Sequence, residues 1–195
     1  MKLSTTDSLK NIPAADWNAL AGNANPFIQH DFLLALETGN CLQPYGWQPH
    51  YLLAHENNAL IGAAPAYIKT NSYGEFVFDW AWAEAYHKHK LAYYPKLVIA
   101  VPYSPVTGPR LLTRDNDHAT KQALVQFALT QADQMQLSSV HCLFNLADDH
   151  ATELHTGLMP RFDFQFHWHN HNYEDFAGFL SQLQSKKRKN IQQER

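Results

Sequence analysis

The stretch "SYGEFVFDWAWAEAY", residues 72–86, sets Ser72, Glu75 and Asp79 among a dense run of aromatic rings. Burial in such company holds a carboxyl group neutral to higher pH, the adjustment a general base needs to work near neutrality. The same letters allow a plainer reading. Glu75 can be an exposed residue of an alternating strand, and Asp79 can cap the helix that follows. Trp80 and Trp82 read more readily as core than as a stacking platform. Further on, "VPYSPVTGPRLL" places Pro102, Pro105 and Pro109 within eight residues. They fix backbone angles and remove three N–H donors, which excludes the middle of a regular ladder. Thr107–Gly108 reads as a turn before Arg110 resumes an extended path. A stiff loop at a strand's end is a frequent binding place in α/β proteins. There Arg110 can hold a carboxylate or phosphate through its planar fork, or serve a structural ion pair in a surface turn.

Twelve histidines are many for 195 residues. "HWHNH" alternates His167, His169 and His171, which a strand would bring to one face. Imidazoles so placed can bind zinc, but a site also needs a further ligand and fixed supporting groups. Neither is visible in the sequence, and no metal is expected. His87 and His89 read as a solvent-facing helical segment. A nucleophile-elbow motif and a phosphate-binding glycine loop are both absent from the sequence. Cys142, inside "SSVHCLF", reads most simply as a small core residue.

The elements that must position these residues follow from periodicity. "NANPFIQHDFLLALE" predicts a helix capped by Asn25 with Pro26 at its first position, and Ile28, Phe32 and Leu36 on its buried face. "WQPHYLLAH" and "ALIGAAPAYIK" predict two strands joined by a turn at "ENN", with Gly62 and Pro65 marking a bulge or an edge. Residues 72–78 alternate like a strand, and a helix follows from Asp79. Leu97 to Val101 form a short buried strand. "HATKQALVQFALTQADQM" gives the clearest helix, with Leu124, Phe127, Ala128, Gln131, Ala132 and Met135 on one face. "SSVHCLF" predicts a strand, "DDHATELHTGL" a short helix, "FDFQFHWHN" a strand, and residues 173–195 a closing helix. Alternating helices and strands indicate an α/β fold, a mixed sheet flanked by helices with some parallel pairing, as a single domain over 1–195.

Bulk properties narrow the partners. A formal charge of −3 and a pI near 6.4 give no footing for DNA. The charge is uneven: Lys186, Lys187, Arg188, Lys189 and Arg195 against Glu194 leave residues 186–195 at +4 and the rest at −7. Such an end is a solvated helix face or a docking surface. Cys41 and Cys142 supply no disulfide framework. Without a signal-peptide core or an apolar run of the ~20 residues that span a bilayer, a reducing, cytoplasmic setting is expected.

"SYGEFVFDWAWA", "YYPKL", "VPYSPVTGPRLL", "QFHWHNHNY" and "FLSQLQSKKRKNIQQER", in that order, resemble the FemAB-like family of N-acyltransferases. "NPFIQHDFLLALE" and "GWQPHYLLA" match its N-terminal pattern, so the resemblance runs from about residue 16 to 195. It implies a GNAT-like acyltransferase fold and cell-wall-related amine acylation. It also implies a chain of about twice this length, of which this is the N-terminal half, the basic helix over 185–195 leading to a second half. On that footing Glu75, Asp79 and His167 are the expected catalytic residues. Ser72, Trp82, Lys96, Tyr103, Arg110, Gln165, Trp168 and Asn170 are the expected substrate contacts. Acyl-CoA is the expected donor and a small-molecule or peptide amine the acceptor. An aminoacyl-tRNA donor is disfavoured by the net negative charge. A non-catalytic binding module for an amino-sugar ligand, stacking on Trp80, Trp82, Trp168 and Tyr103, is the alternative.

Overall fold

The computed structural model describes residues 1–194 and divides into two compact units, Met1–Pro160 and a second that begins at Arg161. The first unit opens with β1 (Lys2–Thr6), α1 (Ala14–Ala21) and α2 (His30–Thr38). There follow β2 (Trp47–Pro49), β3 (Tyr51–Glu56), β4 (Ala59–Ala64) and β5 (Ala66–Lys69). The rest is α3 (Trp80–Lys88), β6 (Lys96–Ile99), β7 (Leu112–Thr113), α4 (His118–Gln134), β8 (Val140–Cys142) and α5 (Ala147–His155).

Two four-stranded sheets result, in the orders β1-β3-β4-β7 and β2-β5-β6-β8, the second of them the expected mixed sheet. The expected hairpin is present, turning through Asn57 and Asn58. Both have positive φ, a conformation that asparagine tolerates better than most residues. Each arm serves both sheets. His50 separates β2 from β3, and Pro65, which has no amide to give a ladder, separates β4 from β5. The register shifts after Ala54, beside Gly62, where a Cβ would strike Thr120 and Leu124 of α4. Gly62 thus lets helix and sheet approach closely. All pairs within the two sheets are antiparallel except β6 with β8, which run parallel through Leu97–Ile99 and Val140–Cys142.

Strand alternation splits the core into two faces. Trp17, Leu20, Ile28, Leu33, Tyr51, Leu53 and Val98 pack together under α1 and α2. Leu52, Ala54, Leu97, Ile99, Leu124, Val125 and Ala128 pack together under α4. The helix at residues 25–38 is broken in two: Asn25 caps a single 3-10 turn, and α2 starts at His30. Its most buried apolar side chain is therefore Leu33, with Phe32 and Leu36 only partly covered. In α4 the buried line runs Thr120, Lys121, Leu124, Val125, Ala128 and Ala132, while Met135 is exposed.

Three further sequence expectations are overturned. Residues 72–78 form no strand, because Gly74, Phe76 and Phe78 take positive φ (79, 60 and 48°), which breaks the extended path. In the second unit "FDFQFHWHN" has no regular structure. Alternation makes a strand only where a neighbour accepts its ladder bonds, and no described strand pairs with it. The closing helix is two, α6 (Phe176–Ser181) and α7 (Ser185–Glu194), with Arg188 donating to the carbonyls of Leu180, Ser181 and Leu183 at the break. Arg195, the end of the expected basic helix, lies outside the described residues.

Candidate functional site

The first unit brings together four of the expected residues from two distant segments. Lys96 opens β6 inside the sheet, fully buried, and its ammonium spends its three protons on Ser72 Oγ (3.2 Å), Glu75 Oε2 (2.9 Å) and Asp79 Oδ2 (2.7 Å). The rings of Tyr93 and Tyr94 flank the same ammonium at 4.8 and 5.4 Å from their centroids. Tyr93 also donates to Asp79 Oδ2 (2.6 Å), and the Tyr94 hydroxyl shares a 2.6 Å hydrogen bond with Ser72 Oγ. Neither carboxylate is capping anything by its side chain: Asp79 stands at the N-cap position of α3 but is turned inward to Lys96.

The loop that carries the carboxylates is pinned from below. Lys69 is the direct cross-strand neighbour of Lys96 and is also fully buried. Its ammonium donates to the carbonyls of Tyr45 and Tyr73 and to Asn71 Oδ1, and lies 4.0 Å from the Trp47 ring centroid. Burial lowers its pKa to about 8. At Gly74 the positive φ and the proximity of the Tyr103 ring and Trp47 leave no place for a Cβ. Tyr103 returns the contact by donating its amide to Gly74 O (3.1 Å), while its hydroxyl is held by Cys41 O.

This geometry drives the two carboxyl groups apart. For Glu75 burial is the largest influence and raises its pKa, with the Asp79 charge acting the same way and Lys96 opposing both. For Asp79 burial also works upward. Hydrogen bonds from Lys96, Tyr93 and Ser72 together outweigh it and bring the group to about 2. Asp79 is thus the standing anion and Glu75 the group whose protonation can change. Glu75 Oε1 and Asp79 Oδ1 are buried and accept no hydrogen bond. A carboxylate oxygen without a donor is a place to put a proton.

The remaining expected residues lie elsewhere. Trp82 is on the outer side of α3, half exposed like Trp80. Arg110 is buried, its guanidinium donating to the carbonyls of Leu143, Pro109 and Val106, so the fork organises backbone. Gln165, His167, Trp168 and Asn170 belong to the second unit. There His167 lies 3.3 Å from Gln165 Oε1, Trp168 packs on Tyr173 and Phe179, and Asn170 accepts the amide of Tyr173. Among the described residues no group of three or more His, Cys, Asp or Glu side chains is arranged to hold a metal ion. Sequence reasoning missed Tyr93, and it missed Asp149 and Glu153 of α5, which are buried together with Lys121. The available signal was their spacing of four in "DDHATELH", which puts two carboxylates on one helix face.

The comparisons agree with this architecture. The fold is similar to that of the aminoglycoside antibiotic 6'-N-acetyltransferase AAC(6')-IG from Acinetobacter haemolyticus. That similarity has a TM-score of 0.50 at 13% identity over 87% of this chain and 99% of the other. A structure described as a probable acetyltransferase matches with a TM-score of 0.50 at 10% identity, over 87% and 97% of the two chains. At such identities the likeness establishes the fold, that of GNAT acetyltransferases. No curated protein matches the sequence. No described helix is long and apolar enough to cross a membrane. Residues 8–195 match the family described as FemAB-like, peptidoglycan biosynthesis/recognition, and with 188 of its 195 residues covered the chain belongs to the FemAB-like family.

Proposed function

We propose that the protein is an N-acyltransferase. It moves an acyl or aminoacyl group from a thioester or ester donor to an amine acceptor of cell-wall character. The observation that carries this reading is the convergence of Ser72, Glu75 and Asp79 on Lys96, with the two carboxyl groups pushed in opposite directions. Paired acids separated in this way divide the labour of proton transfer. In the reaction the acceptor nitrogen attacks the donor carbonyl, a C–N bond forms and the C–S or C–O bond breaks. Glu75 takes the proton that the nitrogen must lose and the leaving group departs. Asp79 and Lys96 hold Glu75 in place, and Ser72 with Tyr94 extends the hydrogen-bond chain outward.

Acyl-CoA fits the fold's relatives as donor, and the net charge of −3 argues against a tRNA footprint. Either donor would place the reaction in the cytoplasm. Glu75, Lys96 and Asp79 have side chains at most 1% exposed, so the acceptor reaches them only when residues 72–79 move. The positive φ at Phe76 and Phe78, and the exposure of both rings, are the kind of local strain that accompanies such movement. A second reading, amino-sugar binding without transfer, is favoured by the exposed rings of Tyr73, Trp80 and Trp82. Incubation of the full chain with acyl-CoAs and amine acceptors, followed by mass spectrometry, separates the two. Transfer appears as an acylated amine with release of free CoA thiol. Saturable binding of muropeptide fragments without any acylated product would leave the second reading in its place.

A further inference from the structure

Where β6 ends, its parallel neighbour β8 continues beside a different partner. Ile99 O still accepts the amide of Leu143 (3.0 Å), but the next amide, that of Ala100, turns away to Pro65 O (3.0 Å). The place beside β8 is taken by the return leg of the proline-rich loop. Gly108 donates its amide to Phe144 O (2.9 Å) and forms a parallel bridge with Asn145, and Arg110 Nε donates to Leu143 O (2.8 Å). In α/β sheets the crevice outside the carboxyl ends of parallel strands is where ligands commonly sit. Here the chain's own segment lies in it.

Helix α5 holds that segment. Asp149 Oδ2 accepts the amides of Arg110 (2.6 Å) and Leu111 (3.2 Å), while Oδ1 accepts Lys121 Nζ of α4 (2.6 Å). One turn on, Glu153 Oε2 accepts the side-chain amide of Asn145, the residue bridged to Gly108. Asp149 is 1% and Glu153 6% exposed, and Glu153 Oε1 is buried without a partner. We propose that α5 is a pH-sensitive latch that keeps the Gly108–Leu111 leg in this crevice, with Asp149 anchoring the leg's backbone and Glu153 as the group that responds to pH. The latch goes beyond the transfer reaction and stands whatever the protein acylates.

The groups facing Glu153 are Cys142 on β8, Asp149 on its own helix, Lys121 on α4 and Arg110 in the leg, together with the Asn145 amide. Burial is the largest influence and pushes Glu153 up to about 7. Asp149 acts in the same direction, and Cys142, Asn145 and Lys121 oppose it. Opened to water, the group returns to an ordinary carboxyl value. The closed latch therefore holds a proton that the open one releases, in the window between that ordinary value and about 7. Opening becomes easier as pH rises through the window and stops changing above it.

Amide hydrogen exchange by NMR on the full chain, between pH 5 and 8 and with intrinsic exchange rates removed, tests this directly. The amides of Gly108, Arg110 and Leu111 should open more often by up to about tenfold per pH unit below 7, then level off. The Leu97 amide, in the ladder between β6 and β8, should stay better protected than these three at every pH, because freeing it takes a larger opening. Glu153→Gln should remove the slope and leave the three amides as protected as in the wild type at low pH. Glu75→Gln should keep the slope, which ties it to α5 even if the first variant folds poorly. A flat wild-type profile, a slope that survives Glu153→Gln, or a Leu97 amide no better protected than the three would overturn the latch.

Discussion

Two buried clusters in the first unit use the same parts and reach different electrostatic ends. Each has two carboxylates on one short segment and one lysine from elsewhere: Glu75 and Asp79 with Lys96, and Asp149 and Glu153 with Lys121. At β6 the single ammonium bridges both acids, and a tyrosine hydroxyl adds a further bond to Asp79. At α5 the ammonium serves Asp149 alone, whose other oxygen takes two backbone amides, and Glu153 is left with the Asn145 amide. Burial raises one acid in each cluster; at β6 the shared ammonium is bonded to Glu75 and opposes that rise, whereas at α5 Glu153 has no bonded cation and is pushed up to about 7. The first arrangement suits a site that moves a proton to order, the second a switch that answers to the surrounding pH.

The largest effect expected from breaking this contrast is at Lys96. Lys96→Met leaves two buried carboxylates facing each other and should cost about 3–5 kcal/mol in urea unfolding. A loss below about 1 kcal/mol would mean that the cation is not what holds the pair. Lys121→Met should cost less, about 1–3 kcal/mol, because Asp149 keeps two backbone amides as donors. Equal losses at the two lysines would erase the difference between the clusters. Glu153→Gln sharpens it with the opposite sign. A carboxyl group raised in the folded state contributes stability only while protonated, and that contribution is lost as pH rises through about 7. The amide should therefore stabilise the protein by about 1–2 kcal/mol at pH 8 and by almost nothing at pH 5. Thermal melts at the two pH values check this, and a gain that grows toward acid would contradict it. Least of all, Trp82→Ala on the outer side of α3 should stay within about 0.5 kcal/mol of the wild type. A larger loss would show that the ring is part of the core after all.

The sequence carried the second half of the first unit well. The short apolar run at Leu97, the helix from His118, the strand at "SSVHCLF" and the short helix after it all stand where periodicity placed them. Local pattern suffices for such elements. It failed where tertiary contacts decide. Nothing in "SYGEFVF" announces left-handed backbone at Phe76 and Phe78, since phenylalanine seldom adopts it and only the surrounding packing imposes it. The alternation of "FDFQFHWHN" is real, but a strand also needs a partner, which no local pattern supplies. The candidate site divides along the same line. Glu75, Asp79 and Ser72 were legible from composition and spacing, and Lys96 from the family resemblance that "YYPKL" helps to carry. That all four meet at one ammonium is a fact of pairing between distant segments. Glu153 was hidden because α5 buries its charged residues Asp149 and Glu153 while exposing Leu146, just before it, and Leu154. That reverses the amphipathic rule by which a buried face is found.

In the proposed reaction Glu75, held by Lys96 beside an Asp79 whose pKa is lowered, takes the acceptor's proton. The most direct measurement compares acyl transfer by the wild type and Glu75→Gln, with melting temperature recorded for both. Acylated amine is expected from the wild type, with a loss of at least about a hundredfold in kcat for the variant at unchanged stability. Undiminished turnover by Glu75→Gln would contradict it.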